Sequence, residues 1–265
     1  MLYARVLTHS ERNLTRLRIW LVCRAHYSFA SDGLCRFGPR SVLKFSRIAE
    51  AANVEYIARN TTIPVPRIKD VFTIDRQTYI VMDYIKGSEL TGAWASLSAE
   101  QRNGIFKDLK GYIEQMRVLS PPNPGRLESA DGSGLSDPRF GGQPFPIFDS
   151  VKEFHTHLGH DFVVNSKNHR EAWSRFEAMG KRLYHTTFTH SDIAPRNIIV
   201  RKGKIAAIVD WETAGWYPEY WEYTRWAVSN FRSPQKWHDL RDEILTPYPD
   251  ELWVDNYLEG VFTRF

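Results

Sequence analysis

The stretch from Thr189 to Glu212 constrains this chain more than any other. His190, Asp192 and Asn197 lead into the apolar run Ile198-Ile199-Val200, and Asp210 closes the second run, Ile205 to Val209. Between the runs, Arg201-Lys202-Gly203-Lys204 reads as a tight turn, so the segment is predicted to be a polar loop followed by a β-hairpin. A carboxylate, an amide five residues later and a second carboxylate after a strand pair are placed too regularly to be incidental turn residues.

The chain around this stretch has 265 residues, enough for one large domain or two closely joined lobes. Apolar residues make up 42% and nine are Trp, which supports a sizeable core and excludes global disorder. A formal charge of +4, scattered among acidic residues, gives no electrostatic basis for a nucleic-acid partner. Cys23 and Cys35 are the two cysteines, too few for a disulfide framework, and they suit a reducing, cytoplasmic setting. The segment Leu14 to Phe29 is rich in Leu, Ile, Trp and Val but interrupted by Arg16, Arg18, Arg24 and His26. It reads as an amphipathic helix on the body of the protein, with interfacial membrane contact as the lesser alternative.

Strand signals come early and helical signals late. Gly33–Phe45 reads as a hairpin about Gly38-Pro39-Arg40, and Arg47–Asn60 as a helix with Ala51, Val54, Ile57 and Ala58 on its apolar face. Glu50 falls inside that arc. Two strands, Val71–Ile74 and Thr78–Met82, flank Asp75-Arg76-Gln77. Helices are expected at Ser98–Leu119, Ser150–Leu158, Lys167–Leu183 and from Glu219 onward. The Pro/Gly/Ser-rich span Pro121–Pro146 is long for a loop in a compact domain and is expected to be functional or mobile. This order suggests an α+β fold, with a small β-rich part joined to a larger helical one.

The polar residues match the needs of phosphoryl transfer. Asp192 can accept a hydroxyl proton, Asn197 can ligate one metal, and Asp210 can hold the metal that bridges the phosphates. Both metal ligands offer oxygen, which suits Mg²⁺. His155, His157 and His160 cluster in sequence, but on a helix the first two face apart, so they read as core or surface histidines rather than a zinc site. Arg196 has two readings, a salt bridge within the helical part or a charge near the transferred group.

Lined up, Lys44, Glu50, the Met82–Ile85 connector, His190–Asn197 and Asp210 resemble the aminoglycoside phosphotransferase and choline kinase-like family over about residues 35–230. The nearest likeness is to small fungal members with His-x-Asp-x-Ala-Pro-Arg-Asn and Asp-Trp-Glu-x-Ala-Gly-Trp-Tyr-Pro-Glu-Tyr-Trp-Glu motifs. The resemblance implies a bilobal, protein kinase-like fold. A shortened nucleotide-binding lobe would cover 1–85 and a catalytic and substrate-binding lobe 86–265. Lys44 would neutralise the ATP phosphates and be held by Glu50, with Glu55 as runner-up. Main-chain groups of Met82, Asp83 and Ile85 would pair with adenine. Asp192 would be the base, with His190 bracing its loop and Arg196 beside it, and Asn197 and Asp210 would hold magnesium. The acceptor would be a hydroxyl of a small molecule. An ammonium-bearing one is among the candidates, because the Trp211–Glu222 stretch mixes aromatic faces with carboxylates, but most of these aromatics read as packing onto the helical part.

The chain departs from that pattern ahead of Lys44. Gly33 and Gly38 do not form a Gly-x-Gly-x-x-Gly loop, and a helix is expected where the family has opening strands. Two alternatives follow: a kinase fold turned to other metabolite chemistry, or a nucleotide-binding module with weak catalysis.

Overall fold

The computed structural model describes residues 4–6, 11–13, 15, 34–137, 144–159, 169–230 and 235–262. The expected helix at Leu14–Phe29 lies outside the described residues apart from Thr15, as do Cys23 and His160. Among the described residues, no helix is long and apolar enough to cross a membrane.

The architecture is α+β, a sheet in the N-terminal region and helices in the C-terminal region. The strands are β1 (Arg5–Val6), β2 (Leu34–Arg36), β3 (Ser41–Phe45), β4 (Ile68–Ile74) and β5 (Gln77–Asp83), in spatial order β1-β4-β5-β3-β2. β1 runs parallel to β4 and the other pairs are antiparallel. β1 departs from the expectation that a helix replaces the opening strands: two residues are too few to carry a periodic signal. Asp75 and Arg76 make the β4–β5 turn with φ of 51° and 66°, the twist a two-residue hairpin prefers. Period-2 alternation sorts the sheet into two faces. Val42, Val71, Ile80 and Met82 pack with Ala51 of the following helix, while Cys35, Leu43, Phe72, Ile74 and Val81 cluster on the other face.

That helix, α1 (Ile48–Asn60), is buried on two sides. Val54 and Ile57 join the main core with Ile105, Leu109, Ile113 and Met116, the stripe of a helix over Ala99–Arg117 (α2). Ala58, expected on the apolar face, is exposed, because the arc turns outward in the last turn of α1. Ser98 and Gln101 form a capping box that starts α2. Beyond α2 come α3 (Val151–Leu158), α4 (Arg170–Gly180), β6 (Thr186–Thr189) and the hairpin β7–β8 (Ile198–Arg201, Lys204–Ile208). Then follow β9 (Gly215–Pro218) and helices α5 (Trp221–Ser229), α6 (Gln235–Ile244) and α7 (Pro249–Phe262). The hairpin turns on Lys202 and Gly203, at φ of 54° and 74°. A Cβ on Gly203 would come within 2.3 Å of the Gln101 side chain, so glycine is needed there twice over.

β6 and β9 pair antiparallel, Gly215 with Thr189 through Pro218 with Thr186, and neither strand was expected. β9 is buried at every position, so it shows no alternation, and its Pro argues against a strand. The Pro121–Pro146 span is also better ordered than its composition suggests. Leu127, Leu135 and Phe145 are buried, and bridges join Leu127 to Phe148, Glu128 to Trp216 and Ser136 to Pro144. Residues 138–143 of this span lie outside the described ones.

Candidate active site

Alternation along β3 puts Lys44 on the face of Val42, the side that α1 covers. Its ammonium lies 2.9 Å from Glu50, 2.5 Å from Asp210 and 3.3 Å from Glu212. Burial works against the charge on Lys44, but the three carboxylates outweigh it and hold its pKa well above the usual lysine range. Glu55 lies elsewhere, paired with Arg59 one turn on at 2.5 Å. Asp210 has a left-handed backbone, φ 68°, which turns the chain sharply after β8. Oxygens of Glu50, Asp210 and Glu212 lie within 4.8 Å of one another.

A cleft of about 200 Å³ opens beside these groups. Lys44, Glu50, Met82, Asp83, Ile85, Arg196, Asn197 and Asp210 all line it, with Leu34, Val42 and Ile199 as apolar wall. At the exit of β5 the amides of Asp83 and Tyr84 donate to the carbonyls of Arg67 and Arg40. The Asp83 carboxylate is 2.6 Å from Lys69. On the far side of Lys44, the turn Phe37–Arg40 between β2 and β3 is closed by the Phe37 amide on the Ser41 carbonyl at 2.9 Å.

The side chains of the loop entering β7 bond one another closely. Arg196 Nη2 donates to both oxygens of Asp192, at 2.6 and 2.7 Å, and Asn197 Nδ2 donates to Asp192 Oδ2 at 2.7 Å. With Nδ2 committed, Oδ1 is the atom Asn197 can offer a cation. His190 is buried; its Nδ1 accepts from the Asp192 amide at 3.2 Å and its Nε2 faces the Val209 carbonyl at 3.1 Å. These bonds assign the proton to Nε2, and burial lowers the ring's pKa, so it is neutral at pH 7. His190 thereby links the loop before β7 to the end of β8.

Four contributors were missed in the sequence. Glu222, in the first turn of α5, accepts from the amides of His190 at 2.7 Å and Ser191 at 3.2 Å. Trp221 Nε1 donates to Ser191 Oγ at 3.0 Å. Together they hold Ser191 at φ 69°, a left-handed conformation that costs energy for a non-glycine residue. Burial pushes the Glu222 carboxyl up to about 7, against the pull of the two amides. No local pattern connects Glu222 to a loop some thirty residues earlier. Glu212 is the second residue after Asp210, and only its distance to Lys44 gives it away. Asn53 sits between Glu50 and Val54 on the buried arc of α1, where a polar side chain signals a partner.

The aromatic stretch follows its packing reading. Trp211, Trp216, Tyr217, Tyr220 and Trp221 are all 2% exposed or less, and none lines the cleft. Tyr217 stacks on Trp221 at 5.2 Å, and Trp211 packs on His190 at 4.5 Å. They are core, so they offer no face to an ammonium group. His155 is also core: burial lowers its pKa to about 4, and its Nε2 meets the Tyr220 hydroxyl at 2.8 Å. His157 is exposed on the other side of α3.

This geometry can be set beside known proteins. The sequence matches the profile of the Phosphotransferase enzyme family over residues 31–251. The chain belongs to that family. Solved structures of similar fold include the gentamicin–APH(2″)-IIa complex, with a TM-score of 0.55 at 12% identity over 98% of this chain and 87% of that one. A thermostable APH(4)-Ia mutant in ternary complex with ADP and hygromycin B gives 0.52 at 14%, covering 87% of this chain and 88% of its own. Macrolide 2′-phosphotransferase MphH from Brachybacterium faecium gives 0.53 at 15%, covering 89% and 82%. At such identities the likeness is one of fold. No curated protein sequence matches the chain significantly. As an aminoglycoside phosphotransferase-like member of the family, the chain has the kinase-like architecture of these neighbours.

Proposed function

We propose that this chain transfers the γ-phosphoryl group of ATP to a hydroxyl of a small molecule, with magnesium. The observation that carries the reading is convergence on one cleft: Lys44 with Glu50 from one side, Arg196, Asn197 and Asp210 from the other, with Asp192 bonded to Arg196 and Asn197 at its edge. The APH(4)-Ia complex with ADP and hygromycin B supports a nucleotide and a small molecule together in this fold.

In this reading the adenine lies between Leu34 and Val42 and pairs with main-chain groups of Met82–Ile85. The Asp83 and Tyr84 amides are already committed, so other groups of that connector serve. Lys44, kept charged by its carboxylates, faces the phosphates. Asn197 and Asp210 would hold magnesium, which prefers such hard oxygen donors and would neutralise phosphate charge; a Glu212 carboxylate oxygen lies within 4.8 Å of one on Asp210. Asp192 orients the acceptor hydroxyl and finally takes its proton. Both of its oxygens carry Arg196, so the incoming hydroxyl replaces one of those bonds. The guanidinium, keeping its other bond, then faces the charge on the transferring group. With the aromatic residues buried, selection of the acceptor falls to polar groups near Asp192.

The test is incubation with ATP and a mixed panel of small hydroxyl and amine compounds, with and without magnesium, read by ADP release and product mass. Gain of one phosphoryl group on a hydroxyl compound, dependent on ATP and magnesium, is expected. Product formed without ATP would overturn the proposal. In Asp210→Ala the magnesium dependence of nucleotide binding is expected to vanish, and unchanged affinity would reject the metal assignment.

A further inference from the structure

Two ties join α1 to the chain around Asp210. The first is charged: Lys44 between Glu50 and Asp210. It lies at the cleft, where the Asp210 side chain is 34% exposed, and a cation arriving on Asp210 competes for the oxygen that Lys44 uses. The second is neutral and sealed. Asn53, one turn beyond Glu50, is fully buried, and its Nδ2 donates to the carbonyls of Trp211 at 3.0 Å and Ala214 at 2.8 Å. Its Oδ1 accepts from the Ala130 amide at 3.0 Å.

One side chain therefore bonds three segments: the helix carrying Glu50, the turn that begins at Asp210, and the 121–137 span. Both amide protons and the amide oxygen of Asn53 are used, and the Trp211 and Ala214 carbonyls it meets are buried, away from water. The 121–137 span is itself fixed. Arg47 Nη2, at the start of α1, donates to the Gly134 carbonyl at 2.5 Å, and a Cβ at Gly134 would come within 1.9 Å of the Phe145 carbonyl. Asp210 is left-handed, and the Trp211 carbonyl that Asn53 holds belongs to the next residue. The bond therefore restrains the turn that aims the Asp210 carboxylate.

We propose that Asn53 is a positioning residue: it holds α1 against the Asp210 turn, so that the Lys44–Glu50 pair stays assembled whether or not nucleotide and cation are bound. The charged tie is remade during each cycle while the buried amide tie persists. This inference rests on the phosphotransferase reading of the cleft, but the tie itself can be tested without a nucleotide.

The experiment compares wild type, Asn53→Ala and Asn53→Asp, each alone and combined with Lys44→Ala. Asn53→Asp keeps the shape and the Ala130 bond while losing both donations, and it carries the test where Asn53→Ala fails to fold. The first readout is amide hydrogen exchange with no ligand. Exchange across 48–60 and 211–214 is expected to rise at least about tenfold, with α4 and α7 unchanged. The second is MgATP affinity, expected to weaken about tenfold in the Lys44 background and to show no further loss beside Lys44→Ala. Unchanged exchange in 48–60 would overturn the proposal, and so would an equal-fold loss of affinity in both backgrounds, which marks general loosening. If the wild-type chain binds no MgATP, the proposed function falls, and the exchange measurement alone decides the role of Asn53.

Discussion

On the helical side of the cleft, Asp192, Arg196 and Asn197 lie within five residues of one another and satisfy each other directly. On the sheet side, Lys44 meets Glu50 six residues on but also Asp210, 166 residues away, and α1 is held by Asn53 bonds that span 77 to 161 residues. The first arrangement is local in its side chains, although Glu222 and Trp221 of α5 hold the backbone of that loop. The second exists only once both regions have packed. The Asp192–Arg196–Asn197 contacts therefore need one loop and its backing helix, whereas the position of Lys44 depends on the core between sheet and helices.

The contrast can be broken first at its local end. Asp192→Asn removes the proposed proton acceptor but leaves a side chain of the same shape, so turnover is expected to fall on the order of 10³-fold while MgATP affinity stays within about twofold. Retained turnover in a steady-state assay would show that the loop does not carry the chemistry. On the sheet side, Lys44→Met leaves Glu50 buried without its counter-charge. A loss of about 3–5 kcal/mol is expected, seen as a fall in Tm on the order of 10 °C. Adding Glu50→Gln should recover most of that stability without restoring activity. Failure of the double variant to recover would mean that Lys44 serves packing more than charge.

A smaller effect belongs to the support behind the helical side. His155 has a folded pKa of about 4 against 6.5 for a free imidazole, so the folded state binds its proton less readily than the unfolded one. Its contribution is present above pH 6.5 and is lost as pH falls toward 4, by at most about 3 kcal/mol. Denaturant titrations at several pH values should show this slope in wild type and not in His155→Gln. The smallest effect is expected for Glu55→Gln. The Arg59 side chain is 71% exposed, so that surface pair is worth only about 0.3–0.5 kcal/mol and activity should be unchanged. A kcat/KM as impaired as that of Glu50→Gln would reinstate Glu55 as the partner of Lys44.

How far the sequence reveals the molecule follows the same division. The hairpins, α1 and α2 could be read because their periodicity and turn residues act over a few positions, as at Lys202-Gly203 and Ser98-Gln101. The strands Thr186–Thr189 and Gly215–Pro218 could not, since their pairing joins distant parts of the chain and β9 is buried at every position. Composition misleads for Pro121–Pro146. Its prolines and glycines signal a loop correctly, but Leu127, Leu135 and Phe145 anchor that loop in the core. The aromatic stretch leaves two readings open, because Trp and Tyr suit a binding surface and a core equally well, and burial decides for the core. Glu222 shows the limit most clearly: its two bonds to the His190–Ser191 backbone depend on where α5 docks.

The grouping around Lys44 also bears on the order in which ligands arrive. One ammonium faces three carboxylates, leaving two negative charges in excess at the cleft floor. Free ATP would approach that floor against a repulsive field, while a divalent cation would be drawn to it. The nucleotide should therefore enter escorted by its metal or after it, and rising salt, by screening the field, should narrow the difference between the two routes.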